Sequence, residues 1–226
     1  TDVATISGTA YTFNTRDVIA GATIEVAELP GVVTTTGEDG SYQLEVPAGE
    51  TVTLSISADG HHTIFTQTFT LDVDHDGADL VGVNFQTPTD DVYEGLKALV
   101  AGFTGVDPFA DDTCVIVATV GDSRLNGMPF AEFIEFAPHG VEGATVTIEP
   151  DVGAPIYFNE DVLPDPAQDL TSIDGGVMFV NVPAGEYELA ATHPDVEFES
   201  CASGGARIDH GVLERTERVW TSDCND

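Results

Sequence analysis

Positive charge is almost missing from this sequence. Six of the 226 residues are lysine or arginine, Lys97 is the single lysine, and forty acids leave a formal charge of −34. A surface of that sign repels phosphate backbones and anionic bilayers, which argues against nucleic-acid and membrane-surface partners. Cysteine is nearly as scarce. Cys114, Cys201 and Cys224 form neither a CxxC pair nor zinc-finger spacing with a histidine. The longest apolar stretches, around residues 98–102 and 114–121, are too short to cross a bilayer, so no membrane span is expected. Missing too are the HExxH, Walker and GxGxxG signatures, and Gly121-Asp122-Ser123-Arg124-Leu125 lacks the second glycine of a nucleophile elbow. Thr1 stands where a nascent chain would carry Met, and is read as the start of a secreted, extracellular protein whose leader has been removed.

What is there is a strand-and-turn composition. Glycine (23) and proline (12) punctuate short runs of Val, Ile, Thr and Phe, and hydrophobic residues reach 42%, enough for real cores in a mainly β chain. The acidity has three readings: adaptation to high salt, carboxylates that bind Ca²⁺, or surface solvation.

An internal repeat organises the chain. Gly21-Ala22-Thr23-Ile24-Glu25-Val26 returns as Gly143-Ala144-Thr145-Val146-Thr147-Ile148. A longer block, from Thr36-Gly37 through Asp39-Gly40-Ser41-Tyr42-Gln43-Leu44-Glu45-Val46-Pro47-Ala48-Gly49, returns from Thr171-Ser172 through Asp174-Gly175-Gly176-Val177-Met178-Phe179-Val180-Asn181-Val182-Pro183-Ala184-Gly185. Asp-Gly makes a tight turn, Tyr42, Leu44 and Val46 alternate with polar residues on a half-buried strand, and Pro47 ends it because it cannot donate to a ladder. The second copy is one residue longer between Asp and Pro, which predicts an insertion or a bulge.

Gly-Ala-Thr, then Asp-Gly-x-aromatic, then Val-Pro-Ala-Gly resembles the carboxypeptidase regulatory-like domain over about residues 4–86 and 113–221. The resemblance implies two transthyretin-like, Greek-key β-sandwich modules joined by a short helix. The expected boundaries are 1–88 for the first module, 89–111 for the helical linker and 112–226 for the second, with long insertions at 122–140 and 149–171. It further implies an accessory, adhesive or structural role outside the cell, and it transfers no active site. In the linker, Asp91 and Glu94 suit a capping box, and Val92, Leu96, Leu99, Val100 and Phe103 form a stripe at helical spacing that is expected to lie on one sandwich.

Four carboxylates are the candidate metal ligands. Asp72-Val73-Asp74-His75-Asp76-Gly77 is DxDxDG, which brings alternate carboxylates onto a hard cation such as Ca²⁺, with Asp79 a further ligand. The twelfth position is Val83 and the flanks read as strands, so this is a hairpin loop and not an EF-hand. Cys114 opens the run CVIVATV and Cys201 interrupts a late run of the same module, so these two are expected to bond, closing a loop worth about 4–5 kcal/mol. Three reduced thiols are the alternative. Cys224 is left to cross-link chains, and Phe130, Phe133 and Phe136 are too apolar for free loops, so these four residues are assigned to assembly. The terminal segments, residues 1–10 and 220–226, are the expected exchanged elements, with residues 1–8 dispensable for folding.

The reading is therefore a non-catalytic extracellular structural or adhesive protein, in its sharper form a self-associating surface-filament subunit stiffened by Ca²⁺, with a cell-surface or glycan partner. The alternative is a carbohydrate-binding accessory module using Trp220, Tyr11, Tyr93 or Tyr157. A metal-dependent enzyme comes third. Iron-dependent intradiol dioxygenases share such sandwiches but use histidines two apart, and His61, His62, His75, His139, His193 and His210 contain no such pair. Calorimetric titration with millimolar Ca²⁺ should show heat and a raised melting temperature that Asp72→Asn and Asp74→Asn together abolish; silence in both measurements removes the calcium loop.

Overall fold

The computed structural model describes residues 3–71, 79–110, 112–125 and 127–194, together with the backbone of 217–220. It is mainly β and divides into two compact units, the division falling between Tyr93 and Glu94. Residues 127–134 belong to the first unit, although the repeat places them within the second copy.

The first unit holds β1 (Val3–Thr12), β2 (Thr23–Val26), β3 (Val33–Thr35), β4 (Ser41–Pro47), β5 (Thr51–Ala58), β6 (His61–Thr70), β7 (Leu80–Val81) and β8 (Phe85–Thr87). One sheet sets β1 between antiparallel β4 and the parallel pair β7 and β8; the other runs β3-β2-β5-β6. The period-two pattern read from Tyr42, Leu44 and Val46 puts all three into the core, opposite Gly8, Ile6 and Ala4 of β1. They meet Ile24, Leu54 and Ile56 from the second sheet, so the unit is a sandwich closed over one apolar cluster.

This placement overturns the expectation that residues 1–10 are an exchanged terminus. Ala4 and Ile6 are fully buried, and β1 pairs on both sides. Removing residues 3–8 would take out more than half of a middle strand, so the first unit is expected to need them to fold.

In the second unit, β9 (Thr113–Thr119), β10 (Thr145–Glu149), β11 (Ile156–Phe158), β12 (Pro164–Asp165), β13 (Gly176–Pro183), β14 (Glu188–Thr192) and β15 (Glu217–Trp220) form sheets ordered β12-β11-β13-β9 and β10-β14-β15. β9 and β13 repeat the pairing of β1 and β4, and β10 and β14 repeat that of β2 and β5. The extra residue appears as a register shift between Phe179 and Val182. There Asn181 takes a positive φ of 53° and its side chain receives the Ala110 N–H at 3.2 Å. The insertion at 149–171 is built rather than loose: β11 and β12 form a hairpin that covers the edge of β13.

Helix α1 (Asp90–Thr104) contains the division, with Asp90–Tyr93 in the first unit and the rest in the second. Its cap is Thr89, whose hydroxyl accepts the Val92 N–H at 3.3 Å, and not the expected Asp91. Val100 packs with Phe158 and Met178 on the outer face of the second unit's β11–β13 sheet, with Phe103 beside it. Val92 and Leu99, read as part of the apolar stripe, are 37% and 41% exposed, so the inward face is rotated toward Leu96, Val100 and Phe103.

The same polar joint occurs in both units. The Thr36 hydroxyl donates to the Ile19 carbonyl at 2.6 Å and accepts the Ala22 N–H at 2.8 Å; Thr171 does the same to Val141 and from Ala144, also at 2.6 and 2.8 Å. Backbone bonds frame each joint identically, Thr36 N–H to Ala22 and Thr171 N–H to Ala144, both at 2.9 Å. Both threonines are buried, so removing the hydroxyl strands two backbone groups away from water. Thr36→Val and Thr171→Val should each cost about 2–4 kcal/mol in urea unfolding, with Thr→Ser retaining most of it.

Candidate functional site

The repeated Asp-Gly turn is where equivalent titratable groups diverge. Asp39 is exposed, and its carboxylate accepts both the Ser41 hydroxyl at 2.6 Å and the Ser41 N–H at 3.1 Å. The hydroxyl first and the amide second hold its pKa below the ordinary value. In the second unit Gly176 replaces Ser41, so the hydroxyl donor is gone and the Asp174 carboxylate accepts the Gly176 N–H at 3.1 Å. Burial pushes Asp174 up, against smaller downward pulls from that amide and from His139. Each turn glycine has positive φ, and a Cβ on Gly40 would stand 2.6 Å from the Ala10 carbonyl oxygen and 2.8 Å from Val18 Cβ. Only glycine lets that turn close on its sandwich.

Of the four proposed metal ligands, Asp72, Asp74 and Asp76 lie outside the described residues. Asp79 is placed just before β7, where its Oδ1 accepts the Thr5 N–H at 2.7 Å. Asn84 does the same for Thr9 at 2.9 Å. These two side chains fill the ladder positions that the short parallel strands β7 and β8 leave unpaired along β1, so Asp79 has a backbone-pairing role. Among the described residues, no group of three or more His, Cys, Asp or Glu is placed to hold a metal.

Cys114 is disulfide-bonded, and its partner, one of Cys201 and Cys224, lies outside the described residues. The phenylalanines assigned to assembly do not act as a set. In α2 (Phe130–Phe133) the two phenylalanine rings lie 6.3 Å apart and both meet Tyr11, at 5.1 and 6.2 Å. Phe136 instead lies under the Arg124 guanidinium, 4.9 Å from the ring centre. All three are half-buried.

Of the aromatic residues considered for glycan contact, Tyr11 and Tyr157 are inside, Tyr93 is half-buried, and the Trp220 side chain lies outside the described residues. Tyr11 is 6% exposed, and burial raises its pKa; Tyr157 is 4% exposed, and its hydroxyl oxygen accepts the Val146 N–H at 2.9 Å. Tyr93 stacks on His62 with ring centres 3.4 Å apart. A polar groove of about 590 Å³ opens beside His61, lined by Thr12, Ile19, Thr23, Ser57 and Asp59. The His61 ring is held between the Thr12 hydroxyl at 3.1 Å and the Asp59 carbonyl at 3.2 Å.

Residues 5–86 match the family profile of the carboxypeptidase regulatory-like domain. Residues 184–226 match the profile of Melibiase. Over 38 residues, 17% of this chain, the sequence is 73% identical to an alpha-galactosidase of Escherichia coli and 55% identical to a probable alpha-galactosidase C of Aspergillus flavus. The chain spans 5% of the length of those two relatives. Among solved structures, the TIE protein of Bacillus anthracis aligns with a TM-score of 0.30 at 15% identity, covering 84% of this chain and 28% of that one. A shaft pilin SpaA from Lactobacillus rhamnosus GG aligns with a TM-score of 0.25 at 10% identity, covering 98% and 96%.

The Melibiase-like segment was missed in the sequence reading, although it leaves a compositional mark. Arg207, Arg215 and Arg218 are half of the chain's six basic residues and fall within twelve positions.

The equivalent carboxylates give a paired test. Asp174 has a folded pKa above its unfolded one, so its stabilising state is the protonated one, lost as pH rises through the folded value. Asp39 is the reverse: its folded pKa is depressed, and its contribution is lost on acidification. Asp174→Asn should therefore raise the melting temperature at neutral pH, with the gain vanishing below the ordinary carboxylate range. Asp39→Asn, which removes the same net charge, should not raise it.

Proposed function

We propose that the two sandwich units form a non-catalytic, extracellular structural protein that works by self-association, with cations as its stabilisers. The observation that carries this reading is the nature of what the two copies share. The buried polar pair common to both, Thr36 and Thr171, ties backbone to backbone inside each sandwich. The repeat therefore preserves a mechanical joint. The −34 charge opposes casual aggregation, so association takes place only through matched surfaces and is strengthened by salt or by Ca²⁺ at residues 72–79. Adhesion to a cell surface or a glycan extends the same role.

A second reading is favoured by the 73% identity to an alpha-galactosidase over 38 residues. In it the sandwiches are accessory modules carried beside a segment from a galactoside-acting protein, and the glycan is the partner.

Sedimentation at high protein concentration in molar salt or millimolar Ca²⁺ separates the two readings. Self-association is expected, with no hydrolysis of a chromogenic α-galactoside and no melting shift from galactose or melibiose. A persistent monomer would sink the assembly reading, and a melting shift with either sugar would put the accessory-module reading in its place.

A further inference from the structure

Among the described residues, the sheet edges are guarded, with two exceptions. An unpaired edge offers a row of backbone donors and acceptors to any incoming strand, and natural edges are blunted by charge, proline or shortness. Here β4 carries Glu45 and Pro47, β10 carries Glu149, and β15 carries Glu217 and Arg218. β3, β7, β8 and β12 have no more than three residues each.

β6 and β9 are different. β6 is a ten-residue edge strand, HHTIFTQTFT, and β9 a seven-residue one, TCVIVAT; neither contains an acid, a lysine, an arginine or a proline. His61 and His62 are met by Thr89 and Pro88, and Cys114 is disulfide-bonded. That leaves 63–70 on β6 and 115–119 on β9, where among the described residues no strand pairs with the outer side. Each stretch also holds out one large apolar side chain, Phe65 at 43% exposure and Val117 at 56%. In a chain with forty acids these are the uncharged ladders long enough to pair.

We infer that the β6 edge of one molecule pairs with the β9 edge of a second copy of the same chain, extending a sheet head to tail. The occupant is a second copy because each molecule carries one such uncharged edge in each unit, so two copies can offer each other a ladder with no carboxylate to repel at the contact. Pairing unlike edges is heterologous: a molecule joined through one edge keeps its other edge for the next copy, so growth continues into a filament unless the contacts close into a ring. Phe65 and Val117 become cross-strand neighbours at the new ladder, adding apolar contact to the backbone bonds. This inference rests on the self-association reading and specifies its contact.

The test uses the full chain with two edge variants, Phe65→Glu and Val117→Glu. Both positions already face solvent, and circular dichroism melts would verify that each variant folds. Each variant alone is expected to sediment as a monomer under conditions where the parent assembles, the concentration for half-assembly rising at least about tenfold. Mixed together, the two variants should form a one-to-one dimer and nothing larger, since one retains an open β9 and the other an open β6. If the Val117→Glu chain still dimerises by itself, like edges pair and the head-to-tail contact is wrong. If both variants assemble as the parent does, neither edge is the interface, while self-association stands. A parent that never assembles removes both.

Discussion

A buried threonine hydroxyl is the constraint on which both sandwiches depend. In each unit it holds the loop that enters β2 or β10 against the strand position before the Asp-Gly turn, by donating to one backbone carbonyl and accepting from one backbone amide. The backbone bonds beyond it fall into the same order in both copies. Ala10 N–H reaches the Gly40 carbonyl, as Val120 N–H reaches that of Gly175, both at 2.9 Å. Because the joint lies inside, where water cannot substitute, the chain around it has one satisfied arrangement. Sequence elsewhere in the repeat is free to drift, and it has: Tyr42 gives way to Val177, and a bulge enters β13.

The repeat was legible because turn chemistry and alternation act over a few residues. Asp39-Gly40 and Asp174-Gly175, the strand after each, and one extra residue between Asp174 and Pro183 could all be read without coordinates, whereas its place at Asn181 could not. What was illegible depends on partners far along the chain. Residues 3–12 look like any half-apolar terminal strand, and only the pairing with β4 on one side and β7–β8 on the other makes them a middle strand. Val92 and Leu99 fit a helical stripe by spacing, but which third of the helix faces inward is decided by Phe158 and Met178. Thr36 and Thr171 headed the repeated block in plain view, and nothing in a one-dimensional pattern marks a hydroxyl that bonds to residues 17 and 30 positions away.

The candidate sites were harder still, since abundance erases signal. With forty acids, any pair or triplet of carboxylates occurs by composition alone, and Asp79 turned out to complete a ladder on β1. The tyrosines considered for glycan contact fit equally well as core, and Tyr11 and Tyr157 are core. Scarcity carried more information. Three arginines within twelve residues, in a chain with six bases, fall in the stretch 184–226 that matches Melibiase, a stretch that also supplies β14 to the second unit.

The parallel strands that flank β1 set the order in which the first unit can be completed during synthesis. Its first strand is finished by its last: Thr5 is bonded to Asp79 and Thr9 to Asn84, across 74 and 75 residues. A growing chain can pair β2 with β5, and β1 with β4, well before Asp79 has left the ribosome. Until then, one side of β1 and the slot that Val83 and Phe85 fill stand open. Closure at such sequence separation belongs to the slow class of folding events, on the order of milliseconds to seconds. The half-built sandwich thus exposes a hydrophobic strand edge for as long as translation takes to deliver residues 79–87, the interval in which an unpaired edge is most prone to pair wrongly.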